Sequence, residues 1–257
     1  MTDMVKSEVQ DGVLSILLDR PDKKNALTDA MFDALTEALT VASASDAVRA
    51  VLIRSAGDFF TAGRDMADFA ASNGSADTDF ANSPPGRFIT ALIGFEKALV
   101  ASVRGPGIGI GMTMLLHCDL VFIAPEARLA ANFVGLALSP EAASSTLLPN
   151  RIGYQRAFAV FALGEAISAQ DAVALGLAYR VTPSQSCDTE AHDAARRLAA
   201  LPQASLRSTK ALMRPAGVLQ TILQHEADCF RQNLISADAA EAFAAFLEKR
   251  PPVFTSA

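Results

Sequence analysis

Short apolar runs alternate with helical patterns along the first two thirds of this chain. Four runs are typical of buried strands, at residues 13–18, 48–54, 99–103 and 120–123. Between the first two, apolar residues recur at helical spacing after Thr28, whose side chain can accept a bond from a free amide of the first turn. Chains that alternate in this way fold as layered α/β structures, and we predict that class here.

Local signals refine this prediction in two places. Asp11-Gly12 is a turn signal between two short runs, so residues 7–18 are predicted to form a β-hairpin. Residues 71–86 are polar and rich in turn-forming residues. We predict that they form a mobile loop without secondary structure, near the functional site.

The pattern from about residue 186 onward is helical only, and it keeps many apolar residues, among them Leu206, Leu219 and Phe246. An apolar helical tail can pack on a partner subunit or can cover its own domain. The pattern alone leaves both interpretations open.

Composition excludes several classes of protein. The 257 residues are 51% hydrophobic and carry a formal net charge of −6, so the chain can bury one sizeable core but lacks an excess of basic residues for nucleic acid. The three cysteines, Cys118, Cys187 and Cys229, have neither disulfide-framework nor zinc-site spacing. We see no signal-peptide pattern and no apolar run of about 18 residues. We therefore expect a cytoplasmic protein that binds neither nucleic acid nor a membrane.

Four glycines alternate in Gly105-Pro106-Gly107-Ile108-Gly109-Ile110-Gly111, directly after a strand run. Their spacing does not match the G-x-G-x-x-G of a dinucleotide site, and the P-loop, zinc-protease and serine-hydrolase motifs are also missing. Such a run can start a helix and leave backbone amides that attract developing negative charge, although close packing of a turn explains it equally well. Phe59–Met66 is a second turn of this kind, and two turns could aim two amides at one oxygen.

One carboxylate stands out on local grounds. Ser139-Pro140-Glu141 reads as an N-cap, a first-turn proline and an acid in the opening turn of a helix. Taken alone, the acid could simply complement the helix dipole. His117, His192 and His225 lie in helical stretches, where we expect core or surface roles rather than catalysis.

Several segments together resemble the enoyl-CoA hydratase/isomerase (crotonase) family in order and spacing. The resemblance extends over nearly the whole chain, and the segments that carry it are Pro21–Leu27, Phe60–Met66, Arg104–Gly111, Cys118-Asp119, Ser168–Leu177 and Phe246–Pro251. The resemblance implies a spiral of ββα units over residues 1–185 as the acyl-CoA-binding catalytic core. It implies that helices over residues 186–257 build a homotrimer or a dimer of trimers. It also implies an acyl-CoA thioester as substrate and no metal or other cofactor, since coenzyme A is part of the substrate.

The same resemblance assigns site residues. The thioester oxygen would accept bonds from the backbone N–H groups of Arg64 and Ile110. A surface for the adenosine and pantetheine parts of coenzyme A would consist of Lys24, Ala26, Ala62, Gly63, Arg64, Asp65 and Met66.

Departures from the family pattern point to the reaction. Thr113 and Phe133 stand where family hydratases have two glutamates. Hydration requires one group to activate water and a second to donate a proton, so losing both acids argues against it. The segment from Asn132 to Ser145 is similar to peroxisomal-type Δ3,Δ2-enoyl-CoA isomerases, in which the glutamate of a Ser-Pro-Glu motif is the base. By this resemblance Glu141 would take a proton from C2 and return one to C4.

The ionisation of Glu141 depends on two opposing effects. A helix N-terminus would lower the pKa of its carboxyl group, and an apolar wall that includes Phe133 would raise it.

We expect an enoyl-CoA isomerase. One alternative is a hydratase or another reaction of the family that uses an acid such as Asp68, and the other is an acyl-CoA-binding protein without turnover.

Overall fold

The structure is a computed structural model that describes residues 3–72 and 80–254. The described strands are β1 Val5–Gln10, β2 Val13–Leu18, β3 Ala50–Ser55, β4 Ala98–Val103, β5 Gly107–Ile108, β6 Leu120–Ile123, β7 Arg128–Ala130, β8 Ile167–Ser168 and β9 Arg180–Val181. The described α-helices are α1 Asp29–Ala44, α2 Met66–Ser72, α3 Pro84–Gly94, α4 Ile110–Thr113, α5 Ser144–Ile152, α6 Tyr154–Phe158, α7 Ala169–Ala174, α8 Cys187–Ala199, α9 Gln203–Met213, α10 Ala216–Leu234 and α11 Ala237–Glu248.

The strands form two sheets that the chain visits in turn. The large sheet has the order β1-β2-β3-β4-β6-β9 and is parallel except for β1, while β5, β7 and β8 form a small sheet. Two isolated bridges extend the small sheet, from Leu27 to Arg64 and from Thr61 to Gly107. Each turn of the chain therefore adds one strand to the large sheet and then one short extended segment to the small one. This is the predicted α/β spiral of ββα units.

The N-terminal elements follow their sequence signals. Asp11 and Gly12 both have positive φ, at 52° and 77°, as the two central residues of a type I′ hairpin turn require. The side chain of Thr28 accepts a bond from the Met31 amide at the start of α1. Phe32 on this helix is buried and packs on Phe88 of α3 with ring centroids 5.8 Å apart. Truncating a buried phenylalanine of this kind to alanine typically costs about 3–5 kcal/mol.

Residues 71–86 differ from the prediction that they lack secondary structure. Helix α2 continues to Ser72, a 3-10 turn covers Phe80–Asn82, and α3 begins at Pro84. The reason is a local start signal: the Ser83 side chain accepts a bond from the Gly86 amide, and proline is favoured at a first helical position. The predicted loop residues 73–79 lie outside the described part of the chain.

The C-terminal region is helical, as predicted, and part of it covers the core. On α8, the small residues Cys187, Ala191, Ala195 and Ala199 pack on the face of the large sheet opposite α1 and α3. Phe230 of α10 lies 6.2 Å from both Phe69 and Phe80, measured between ring centroids. Large apolar side chains also remain exposed in this region, namely Leu212, Met213, Val218, Ile235, Phe246 and Leu247. Among residues 3–72 and 80–254, no helix has the length and apolar character needed to cross a membrane.

Candidate active site

Two glycine-containing turns meet at one end of the small sheet. Thr61 and Ile108 join them: the Ile108 amide donates to the Thr61 carbonyl oxygen at 3.0 Å, and the Thr61 amide donates to the Pro106 carbonyl oxygen at 3.2 Å. Gly63 has φ +88°, and a Cβ atom there would lie 2.8 Å from the Ile108 carbonyl oxygen. Only glycine permits this approach, so the two turns that the sequence singles out are held side by side.

In each turn one backbone N–H group, that of Arg64 or Ile110, points away from the hydrogen bonds that hold the turn together. Ile110 is the first residue of α4, where an N–H group has no partner within the helix. In the bridge to Leu27, the bonds run to the carbonyl oxygen of Gly63 and from the amide of Asp65. The Arg64 N–H group, between them, therefore points to the opposite side. Arg64 and Ile110 line the same cavity.

This cavity has a volume of about 320 Å³ and a largely apolar wall. Its aromatic lining consists of Phe32, Phe69, Phe80, Phe133, Phe230 and Phe246. Ala62, Gly63, Arg64, Met66 and Ile110 supply the turn side, and Glu141 is the carboxylate in the wall. The volume and the apolar wall are typical of a pocket for part of a small organic ligand. Such pockets are mainly apolar, with a few placed polar groups.

Glu141 does not lie in a helix, contrary to the prediction from Ser139-Pro140-Glu141. Helix α5 begins three residues later, at Ser144, because Ala142 and Ala143 adopt left-handed conformations with φ of 62° and 55°. This conformation costs an L-residue about 1–2 kcal/mol. Neither Ser139 nor any side chain of the turn caps the helix. The cap is supplied from α10 by Glu226, which accepts bonds from the Ala143 amide at 2.6 Å and the Ser145 amide at 2.8 Å.

The carboxyl group of Glu141 is buried but has one direct polar partner. It is 9% exposed, and Thr113 of α4 donates its hydroxyl hydrogen to Oε1 at 2.6 Å. Burial raises the pKa of Glu141 from 4.5 to about 7; Glu226 adds to the rise, while the Thr113 bond and the charge of Arg64 oppose it. Of the two effects expected from the sequence, burial therefore dominates. A carboxyl group with a pKa near neutral can both take up and release a proton at neutral pH.

The two positions that lack the hydratase glutamates have other contacts. Thr113 holds Glu141, as described, and is itself buried. Phe133 lines the cavity and packs on Phe161, with ring centroids 5.8 Å apart. Asp68, the acid considered as an alternative, accepts a bond from the Asp29 amide at 2.9 Å and does not line the cavity.

The remaining residues assigned by resemblance lie beside the cavity. The Lys24 carbonyl oxygen accepts a bond from the Ala62 amide, and the exposed Lys24 ammonium lies 5.0 Å from the Phe59 ring centroid. Ala26 is half-buried next to this segment, and its carbonyl oxygen accepts a bond from Arg20. The Asp65 carboxylate also binds Arg20, at 2.7 Å, and accepts a bond from the Ala67 amide. Lys24 and Ala26 thus lie on the same surface as Ala62–Met66.

Two further features of the surroundings of Glu141 have no signal in the local sequence pattern. The Arg64 side chain, and not only its amide, is part of the wall: it packs over Phe69 at 4.6 Å from the ring centroid and binds Asp29, and burial lowers the pKa of its guanidinium. Glu226 reaches the turn from 81 to 83 residues away, a separation that no local pattern reveals. His117 is buried, as expected, and its Nε2 lies 2.8 Å from the Ala142 carbonyl oxygen.

Comparisons with known proteins agree over almost the full length. A family model described as Enoyl-CoA hydratase/isomerase matches residues 8–257. Enoyl-CoA delta isomerase 2 of Rattus norvegicus is 32% identical over 245 residues, which cover 93% of this chain but only 62% of the rat protein. 1,2-Epoxyphenylacetyl-CoA isomerase of Escherichia coli (strain K12) is 32% identical over 261 residues, with 99% of each chain covered.

A solved structure extends the likeness to the fold. The crystal structure of an enoyl-CoA hydratase/isomerase from Pseudoalteromonas atlantica T6c has a TM-score of 0.91 and 36% identity, covering 98% of this chain and 100% of the other. The spiral of the two sheets and the C-terminal helices are therefore shared with this protein. On these matches, the chain belongs to the enoyl-CoA hydratase/isomerase (crotonase) family.

Proposed function

We propose that this protein is an enoyl-CoA isomerase, which moves the double bond of a 3-enoyl-CoA thioester to the 2-trans position. One observation carries the proposal: the apolar cavity has Glu141 as its carboxylate, with a pKa near 7, beside the two turns that hold Arg64 and Ile110. A 1,3 proton shift needs one group that takes a proton and gives it back, and this site supports that requirement.

The proposed reaction proceeds in two proton transfers. The ionised Glu141 carboxylate removes a proton from C2, and the electron pair of the C–H bond moves into the thioester to give a dienolate. The backbone N–H groups of Arg64 and Ile110 stabilise the negative oxygen, which is the usual role of an oxyanion hole. Protonated Glu141 then donates its proton to C4, and the double bond lies between C2 and C3. The reaction needs no metal and no cofactor, since coenzyme A is part of the substrate.

The wall around Glu141 supports isomerisation over hydration. Hydration needs a second acid or base to handle water. Thr113 and Phe133 cannot act as carboxylates, and Asp68 is bonded to the Asp29 amide outside the cavity wall. An apolar wall also disfavours an ordered water near C3, because a buried water needs two to four polar partners.

The coenzyme A moiety and the association of subunits complete the proposal. We assign the adenosine and pantetheine groups to the surface of Lys24, Ala26 and Ala62–Met66, which leads to the cavity wall. We assign the exposed apolar side chains of α9 to α11 to contacts between copies in a homotrimer or a dimer of trimers. Exposed apolar patches commonly mark interfaces.

A direct assay separates the three candidate activities. Purified protein is incubated with 3-enoyl-CoA and, separately, with 2-trans-enoyl-CoA. Isomerisation appears as a rise in ultraviolet absorbance from the conjugated thioester in the first sample, and hydration as its loss in the second. Loss of conjugation with 2-enoyl-CoA and no conversion of 3-enoyl-CoA would make the protein a hydratase. Tight coenzyme A binding without either change would make it a binding protein.

A further inference from the structure

The turn that carries Glu141 lies between two cavities. On its inner side is the apolar cavity described above, lined by Leu138 and Glu141. On its outer side a second cavity, of about 530 Å³, is lined by Ser139, Pro140 and Ser145 and by part of α10. The segment before the left-handed turn therefore has open space on two sides, whereas Ala142 and Ala143 are buried in the core.

A polar clamp holds this turn in addition to the packing of its two alanines. Glu226 of α10 is 6% exposed, and its two carboxylate oxygens accept bonds from the amides of Ala143 and Ser145. Burial raises the pKa of Glu226, and the two N–H donors oppose that rise because they stabilise the ionised carboxylate. His117 holds the same turn from the core side through the Ala142 carbonyl oxygen.

We infer that Glu226 is a positioning residue for Glu141: by bonding one amide within the left-handed turn and one just after it, Glu226 fixes the carboxylate of Glu141 against Thr113 and the oxyanion turns. This inference rests on the proposed isomerase function for its kinetic consequences, although the clamp itself is independent of the reaction. It assigns a role in the active site to a residue of the C-terminal helices that is absent from the inner cavity wall.

The clamp also places a negative charge near the base. The charged groups that act on Glu141 are Arg64, from the turn after β3, and Glu226, from α10. His117 on the core side is neutral at neutral pH, since burial lowers its pKa to about 3. His225 and Cys229 line the outer cavity beside Glu226. Removing the charge of Glu226 should therefore lower the pKa of Glu141, because like charges disfavour ionisation.

The main test is Glu226→Gln, which keeps size and loses one acceptor and the charge. Folding and mass are checked by circular dichroism and light scattering, and kcat for 3-enoyl-CoA is measured between pH 5 and 9. We expect kcat to fall by about 10- to 100-fold, as small misplacements of a catalytic group cause, and the acid limb of its pH profile to move. The limb moves to lower pH where the lost charge dominates, and to higher pH where Glu141 also loses its Thr113 bond. Asp228→Asn is the matched control, because Asp228 lies on the same helix, is exposed and bonds Arg231. This control should keep the parental rate and limb.

Three kinetic outcomes would overturn the inference. In the first, a folded Glu226→Gln protein keeps kcat within about twofold. In the second, it loses kcat while the acid limb stays at the parental pH, which indicates general damage. If Glu226→Gln does not fold, Ser145→Pro decides, because it deletes one donor of the clamp in a first helical turn that tolerates proline. Parental kcat in that variant is the third such outcome, and a fall of about tenfold or more supports the clamp.

A measurement without substrate separates this inference from the proposed function. Infrared difference spectra recorded against pH report the protonated carboxyl group of Glu141, identified by its loss in Glu141→Gln. A changed titration midpoint in Glu226→Gln supports the clamp even if the parent protein does not isomerise 3-enoyl-CoA, in which case the proposed function alone fails. An unchanged midpoint overturns the clamp whatever the activity.

Discussion

Replacing Thr113 by valine removes the direct hydrogen bond to the candidate base and leaves a side chain of nearly the same shape. The lost bond is the 2.6 Å contact from the Thr113 hydroxyl to Glu141 Oε1. A hydrogen bond to a charged group is worth about 1.5–3 kcal/mol, and one pKa unit corresponds to about 1.4 kcal/mol. The bond stabilises the ionised form, so its loss should raise the pKa of Glu141 further, by about 1–2 units.

The consequence appears in the pH dependence of turnover. With its pKa near 7, Glu141 is about half ionised at pH 7 in the parent protein, whereas in Thr113→Val the ionised fraction falls to about 1–10%. The kcat for 3-enoyl-CoA at pH 7 should therefore fall by about 5- to 50-fold and recover toward the parental value above the raised pKa. The assay is kcat measured from pH 5 to 10 at constant ionic strength.

A matched variant distinguishes the hydroxyl from its methyl group. Thr113→Ser keeps the donor to Glu141 and should keep the parental acid limb, with a modest loss of stability from the missing methyl group. If folded Thr113→Val showed the same limb as the parent, the hydroxyl would not control the ionisation of Glu141. A limb moved to lower pH would contradict the sign of the argument.

Four other predictions concern the base, the oxyanion turn and association. Glu141→Gln should lower isomerase kcat by about 10²–10⁴-fold with coenzyme A binding retained; near-parental turnover would exclude Glu141 as the base. The pKa of Glu141 is raised on folding from 4.5 to about 7, so its ionisation opposes folding as the pH rises through that window. Glu141→Gln should therefore be more stable than the parent at pH 8, by up to about 3 kcal/mol in urea unfolding. At pH 4 the variant should have no such advantage. Ile110→Pro should lower kcat by about 10²–10³-fold while Ile110→Ala and Ile110→Leu keep most activity, because only proline removes the amide; a folded proline variant with the parental rate would refute the oxyanion site. Light scattering at micromolar protein should give the mass of a trimer or hexamer, and a monomer mass would refute the proposed association.

The features that were predictable from sequence depend on residues close together in the chain. The Asp11-Gly12 turn and the Thr28 cap each lie within four residues of the groups they bond, so their signals are local. The helix start at Ile110 follows in the same way from the glycine run. The meeting of the two turns was suggested by resemblance, and its physical basis is the approach of Gly63 to the Ile108 carbonyl oxygen.

The misprediction at Glu141 has a non-local cause. Ser139-Pro140-Glu141 carries every local sign of a helix start, yet the chain first makes a left-handed turn at Ala142 and Ala143. Two alanines would not adopt this conformation on their own preference. Glu226 compensates by supplying the cap that Ser139 does not, from a helix more than 80 residues away in sequence. The prediction failed because the deciding partner is distant.

The C-terminal helices, although distant in sequence, contribute residues to the proposed active site. Phe230 and Phe246 line the cavity, and Glu226 bonds the turn that carries Glu141. The C-terminal region also exposes large apolar side chains, such as Leu212 of α9 and Ile235 after α10. Association through such side chains, as we propose, would bury apolar surface and favour the arrangement in which α10 is docked. Assembly and the position of the base are then linked, so dilution to monomers should lower kcat as well as mass.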